Sequence, residues 1–368
     1  MNKLPKNWQE YKLKDLCVIN YGKGLGKSNI VNGNIPVYSS GGIIGFHNTY
    51  NVNSEGVIIG RKGNAGSVFY SDKPFFCIDT AFYIEPNNQY DLKYLFYKLV
   101  SMNLKNHKTG TAIPGLIRND IYKLSISIPP LDEQKRIASA LSKIDAYLEN
   151  TIKLIEEKER FKRGIAKKLL TCKEVENIPE ARFKGFEDEW KETQILEFVN
   201  NNIIKIEKGK SITKSKIEEG DIPVIAGGKT PPYYHNKYNY NFPCITISAS
   251  GSAGYVWFHD YKIWASNCHV IYTYNKRYNI KFLYHYLKNI QDLIYYLQVG
   301  GVQKHVYAKD LIKLNIPNIT IEEQEKIGGY LSLLDAEIDN LKKQKELIKE
   351  MKRGAMQKLL SGEVRLLE

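Results

Sequence analysis

The chain lacks several things, and each absence removes a class of function. No apolar run in its 368 residues approaches the roughly 18 that a membrane-crossing helix needs. The opening MNKLPKNWQEYKL has no apolar core of a secretion signal, so none is expected. Cysteine is sparse and odd in number: Cys17, Cys77, Cys172, Cys244 and Cys268, never as CxxC. That usage fits reduced, structural thiols and a cytoplasmic protein. The seven histidines (His47, His107, His235, His259, His269, His285 and His305) show no metal-ligand spacing. His259 and His269 fall among strand-like segments, where packing or surface roles are expected.

Catalytic signatures are missing too. GKGLGKS (Gly22–Ser28) looks like a phosphate-binding loop, but the motif needs glycine where Tyr21 stands. GRKGNAG (Gly60–Gly66) has no βαβ surroundings and reads as a hairpin turn. TPPY (Thr230–Tyr233) approaches the tetrad that holds an amino group in amino-methyltransferases. Its first residue is Thr, and no glycine-rich turn for S-adenosylmethionine precedes it. The expectation is a non-catalytic chain without cofactor or metal of its own.

What is present is a duplication. Glu133–Thr171 aligns with Glu323–Ser361 at an offset of 190 residues without a gap, and 16 of the 39 positions are identical. Average composition would give about two. Ile137, Leu141, Ile144, Leu148 and Ile155 recur at three- and four-residue spacing, as do Ile327, Leu331, Leu334, Ile338, Leu341 and Ile348. That is the seam of a helix buried against another helix. Pro129-Pro130 precedes the first helix, and Thr320 with Glu323 forms a capping-box pattern for the second. The first is expected from about Leu131 to Thr171, roughly 60 Å long. Gly164 and Gly354 interrupt the helices at matched places, at about 1 kcal/mol each against Ala, which suggests close crossing or a bend.

The segments between the helices also match. VIIGRKGNAGSVFY (Val57–Tyr70) parallels ITISASGSAGYVWF (Ile245–Phe258), a strand–turn–strand pattern. NIPVYSSGG parallels DIPVIAGGK, and KYLFYKLV parallels KFLYHYLK. The fold class is therefore α+β: two β-rich domains, each followed by a long helix, the helices pairing as an antiparallel coiled coil in a pseudo-twofold repeat. The expected division is 1–130, 131–172, 173–318 and 319–368, with a globular head at either end of the helical spacer.

The net charge of +13 is concentrated outside the helices. Residues 1–130 carry 15 Lys/Arg against 8 Asp/Glu, and residues 172–318 carry 19 against 15. A basic excess favours polyanions through phosphate neutralisation. Duplex DNA is a partner that two related surfaces can read in two halves.

On these residues the chain resembles the specificity subunits of type I restriction–modification systems. The resemblance rests on IPPLDEQKRIASALSKID (Ile128–Asp145), IEEQEKIGGYLSLLD (Ile321–Asp335), RFKGFEDEW (Arg182–Trp190) and the helix ends Arg163–Leu170 and Arg353–Leu360. It implies two target recognition domains, each reading half of a split DNA sequence, with the paired helices setting the gap. It also implies two modification (methyltransferase) subunits and ATP-driven restriction subunits as partners, which would hold the cofactors. A self-contained DNA-modifying enzyme and a coiled-coil scaffold without sequence readout are the alternatives.

Candidate DNA contacts are polar or basic residues on matched glycine-rich loops. In the first block these are Lys23, Lys27, Tyr38, Ser39, Ser40, Arg61, Lys62, Asn64, Lys108 and Thr111. In the second they are Lys208, Lys210, Lys214, Lys229, Ser250, Ser252, Gln303, Lys304 and His305. Arg61 and Gln303 are the candidates for base edges, since Arg suits guanine and Gln suits adenine in the major groove.

Overall fold

The structure is a computed structural model describing residues 5–108, 115–173, 176–274 and 277–366, with the Lys27 side chain left aside. The chain divides into two compact units. The first comprises the residues up to Ile152 with those from Lys343 onward, and the second Lys153–Lys342.

Among the described residues the first unit contains nine strands: β1 (Gln9–Lys12), β2 (Asn20–Tyr21), β3 (Ile35–Ser39), β4 (Gly42–His47), β5 (Gly56–Gly60), β6 (Val68–Ser71), β7 (Phe76–Cys77), β8 (Ala81–Ile84) and β9 (Ser125–Ile128). They form a four-stranded sheet β2-β8-β5-β6, a three-stranded sheet β4-β3-β7 and the pair β1-β9. The second unit repeats the plan with β10 (Lys191–Gln194), β11 (Ile204–Lys208), β12 (Ile222–Ile225), β13 (Tyr233–His235), β14 (Cys244–Ser248), β15 (Val256–His259), β16 (Trp264–Ala265), β17 (Cys268–Thr273) and β18 (Asn315–Asn318). Its sheets are β11-β17-β14-β15, β13-β12-β16 and β10-β18. The middle strands β5 (GVIIG) and β14 (CITIS) are buried at every position, as unbroken apolar runs should be.

A ten-residue helix covers the four-stranded sheet in each unit, Leu92–Ser101 in the first and Ile280–Asn289 in the second. Both are capped in one way. Asp91 accepts from the Tyr94 backbone N–H at 2.8 Å, and Asn279 accepts from Phe282 at 2.9 Å. Leu95 and Leu99, like Phe282, Leu283 and Leu287, are fully buried beneath them. Each such side chain contributes about 1.5–3 kcal/mol of burial.

The long helices span Leu131–Leu170 and Ile321–Ser361, close to the expected limits. The repeated residues now have work to do. Gln134 Oε1 accepts from the Asp91 backbone N–H at 2.9 Å and Gln324 Oε1 from that of Asn279 at 2.8 Å, tying each long helix to its short one. Within the first unit Asp145 pairs with Lys352 at 2.5 Å; within the second, Asp335 pairs with Lys162. The duplicated Asp of one copy thus meets the duplicated Lys of the other. In the second unit Glu159–Lys342 at 2.7 Å and Lys162–Asp335 show the helix segments running antiparallel.

Glu133 and Glu323, both buried, each grip an arginine with both carboxylate oxygens. Glu323 receives Arg182 at 2.7 and 2.9 Å, with the Trp190 indole N–H at 3.4 Å. Glu133 receives Arg365 at 2.6 and 2.7 Å, and that guanidinium lies 5.9 Å from the Trp8 ring centre. What the second unit carries as one segment, Arg182 through Trp190, the first assembles from both ends of the described chain: Arg365 also donates to the Lys6 carbonyl at 2.9 Å.

Two helix expectations need correction. The Thr320 hydroxyl accepts from Glu323 N at 3.4 Å, but the Glu323 carboxylate does not return to complete a capping box; it is spent on Arg182. Gly164 and Gly354 permit no close crossing within the chain, since a Cβ at either would meet nothing within 4 Å. The glycine that does allow a close approach is Gly328, whose Cβ would stand 2.6 Å from Phe282 N.

Candidate nucleic-acid interface

In the first unit the polar loops are drawn together by backbone bonds at one end of the four-stranded sheet. The β5–β6 turn begins where Arg61 N and Lys62 N both donate to Thr80 O, at 2.8 and 3.1 Å. Thr80 Oγ1 accepts from Ser40 N at 3.4 Å, bringing in the β3–β4 turn. Lys23 N donates to Cys77 O at 2.9 Å, and Leu116 N to Arg61 O at 2.8 Å. A Cβ on Gly41 would stand 2.9 Å from Asn64 Nδ2, so these two turns touch. Gly63 (φ +71°) and Gly66 (φ +84°) give the turn the left-handed backbone that other residues resist. Lys23, Ser39, Ser40, Arg61, Lys62 and Asn64 are thereby gathered on one surface. Lys62 and Asn64 are exposed, and Arg61 is half-buried.

The second unit builds the same platform from different side chains. Ser252 N donates to Gly227 O at 2.6 Å, joining the β14–β15 turn to the loop that carries Lys229. Val306 N donates to Ala249 O at 3.0 Å, and Ser250 bridges His305. Gly209 N donates to Cys268 O at 2.9 Å, and the Lys210 carbonyl accepts from the Trp264 indole at 2.9 Å, which sets Lys208 and Lys210 beside that turn. Gly251 and Gly254 repeat the positive angles, at φ +71° and +86°. Arg61-Lys62-Gly63-Asn64 in the first turn corresponds to Ala249-Ser250-Gly251-Ser252 in the second.

Some expected contacts fall elsewhere. Tyr38 is only 7% exposed; its ring meets Phe75 edge-on at 5.6 Å, so it is a core residue. Ser250 is 5% exposed and accepts from Asn267, because the His305 bridge covers it. Lys214 lies by the three-stranded sheet, 5.9 Å from the Tyr233 ring centre. Lys229 lies 5.7 Å from the Tyr255 ring. Lys108, Gln303 and Lys304 are exposed, while Thr111 and the Lys27 side chain lie outside the described residues. Two residues outside the glycine-rich loops also stand at this surface: Arg61 lies over the Tyr21 ring at 5.0 Å, and Arg118 lies over the same ring at 4.7 Å.

The histidines are largely structural. His259 is fully buried between Thr246 Oγ1 at 2.8 Å and Tyr261 Oη at 3.2 Å, and burial pushes its pKa down to about 3. His269 is packed, with Nε2 at 2.8 Å from Val306 O. His285 Nε2 lies 3.1 Å from Ser332 Oγ, and burial with Lys162 and Lys281 nearby lowers it to about 3. Among the described residues no cluster of His, Cys, Asp and Glu could hold a metal ion, and no helix is long and apolar enough to cross a membrane.

Set against known proteins, residues 5–157 and 187–350 match the type I restriction modification DNA specificity domain. The chain belongs to that family. The domain is a recognition domain and not a catalytic one, so the chain is a non-catalytic member of a restriction–modification system. A protein of Methanocaldococcus jannaschii described as a specificity subunit of the type I restriction enzyme MjaX is 30% identical over 331 residues, covering 84% of this chain and 77% of its own. A type I specificity subunit of Mycoplasma genitalium is 26% identical over 352 residues, covering 92% and 90%. The crystal structure of a type I restriction-modification S subunit from M. genitalium shares the fold, with a TM-score of 0.75 over 97% of both chains at 23% identity.

Proposed function

We propose that this specificity subunit reads a bipartite, asymmetric DNA sequence, one unit per half-site. In this reading residues 1–130 and 173–318 are the recognition domains, and the helical stretches 131–172 and 319–368 fix the unread gap. The observation that carries it is one hairpin platform presented twice with different side chains: cationic Arg61 and Lys62 in one turn, small Ala249 and Ser250 in the other. Phosphate contacts set register and base-edge contacts set sequence, so two platforms of one backbone and unlike surfaces suit two unlike half-sites.

The partners of this reading are duplex DNA, two modification subunits that methylate adenine, and ATP-dependent restriction subunits, all in the cytoplasm. Methylation within a duplex requires the base to leave the stack, and a subunit gripping both sides would steady that deformed DNA. Support for protein partners comes from the helices. Tyr147, Leu347 and Met351 in the first unit, and Leu154, Phe161 and Leu333 in the second, expose apolar surface on helices whose other faces are packed. Gly164 and Gly354 leave open space where nothing in this chain needs it.

The test is methylation by the chain assembled with its methyltransferase, on duplexes altered in one half at a time. Arg61→Ala is expected to relax recognition of one half only; equal loss over both halves refutes the assignment. Deleting one heptad from each long helix is expected to change the preferred gap, and an unchanged gap removes the spacer role.

A further inference from the structure

Arg61 is held by a stack that its loop does not reveal. Its guanidinium carbon lies 5.0 Å from the centre of the Tyr21 ring and 5.8 Å from that of Phe82. The guanidinium carbon of Arg118 lies 4.7 Å from the same Tyr21 ring, which meets Phe82 edge-on at 5.0 Å. Backbone carbonyls fix both arginines: Arg61 Nη1 donates to Asp79 O at 3.0 Å and Arg118 Nη1 to Ile19 O at 3.4 Å. Among the described residues no carboxylate lies within 4 Å of either guanidinium, and Arg118 Nε is buried without a hydrogen bond. Two cations without a carboxylate partner among the described residues therefore share one ring, and Tyr21 is 46% exposed.

Such a stack is costly unless the fixed geometry is used. A free arginine side chain loses about 2 kcal/mol of rotamer entropy when immobilised. Here the ring and a backbone acceptor have already restricted Arg61, leaving donors on its fork unspent. A bidentate contact to guanine O6 and N7 demands a planar fork at one angle, whereas a phosphate accepts a point charge from many. The second unit has no counterpart: Lys208, Ala249 and Ala308 occupy the places of Tyr21, Arg61 and Arg118.

We propose that Tyr21 and Arg118 are positioning residues: Arg118 clamps Tyr21, and Tyr21 holds the Arg61 fork at the angle needed to read a guanine in the half-site of the first unit. This rests on the reading of Arg61 as a DNA contact. The experiment uses the subunit assembled with its methyltransferase and duplex oligonucleotides carrying the mapped target, each base pair varied singly. The wild type is expected to discriminate about 5- to 150-fold at the Arg61 base pair, the span of a good bidentate contact. Tyr21→Ala and Arg118→Ala are expected to lower that ratio at the same base pair at least several-fold, with discrimination across the second half-site unchanged as the internal check on folding. Tyr21→Phe, which keeps the ring, is expected to retain it. Arg61→Lys, which keeps charge without the fork, is expected to behave as Arg61→Ala.

If Arg61→Ala relaxes one base pair while Tyr21→Ala and Arg118→Ala do not, the positioning role is overturned and the reading of Arg61 stands. If Arg61→Lys keeps discrimination, the base is read without the planar fork and the proposal is wrong; if Tyr21→Ala slows every sequence alike and leaves the ratio unchanged, the pair serves a phosphate and the proposal is equally wrong. If Arg61→Ala changes nothing, both fall.

Discussion

The two platform turns share their backbone and differ in nearly everything that projects from it. Both span a buried apolar strand and its antiparallel neighbour, both use two glycines at positive φ, and both are tied down through main-chain atoms such as Arg61 O and Ala249 O. Because the scaffold is held by groups every residue possesses, the side chains are free to change. The interiors diverge as well. The second unit buries His259 and His285 where the first has Ser71 and Tyr97, and it takes the arginine and tryptophan of its grip from one segment, Arg182 through Trp190, where the first takes Arg365 and Trp8 from opposite ends of the described residues.

That contrast is broken most strongly at the grip. Glu323→Ala leaves Arg182 in a buried place without its carboxylate, a class of change that costs about 3–5 kcal/mol. Glu133→Ala is expected to cost less, because the Arg365 side chain is 18% exposed against 11% for Arg182, and Glu323 alone also receives an indole N–H, from Trp190. Denaturant unfolding of the two variants compares them, and equal losses would remove the distinction.

Acid should separate the units next. His259 and His285 stay neutral to about pH 3 when folded but protonate near 6.5 when unfolded. The unfolded chain then binds more protons, so their contribution is complete above pH 6.5 and is lost as pH falls toward 3. At pH 5 the loss is about 2 kcal/mol for each histidine. Hydrogen exchange at pH 7 and pH 5 is expected to show protection falling first in 153–342; parallel decline would contradict it.

Smaller effects sharpen the repeat. Gly328→Ala drives a Cβ toward Phe282 N and should cost about 1–3 kcal/mol, although Ala138 fills the matched place in the first unit. Gly354→Ala meets open space and should stabilise the isolated chain by about 0.5–1 kcal/mol, seen as a raised Tm. A drop in Tm would mean that the glycine answers a strain within the helix.

Much of the fold was legible because it is written as periodicity and repetition. The helix limits, the paired hairpins and the short helices follow from apolar spacing and from the 190-residue echo. The tasks of the repeated residues were not legible. Nothing local shows that Gln134 would cap a helix begun at Asp91, or that Glu323 would abandon its own helix end for Arg182. The candidate site was legible only in outline. Glycine-rich turns marked the platform, but Tyr38 and Ser250 point inward once the chain closes around them. Tyr21 reaches Arg61 from 40 residues away and Arg118 reaches the same Tyr21 ring from 97 residues away, contacts that only folding creates.

The most direct measurement is the set of adenines methylated across a genome when the chain is co-expressed with its methyltransferase. A single split motif, with two specified halves and a gap of constant length, is the predicted result. A contiguous motif, or a gap that varies freely from site to site, would contradict two readers held apart by their own helices.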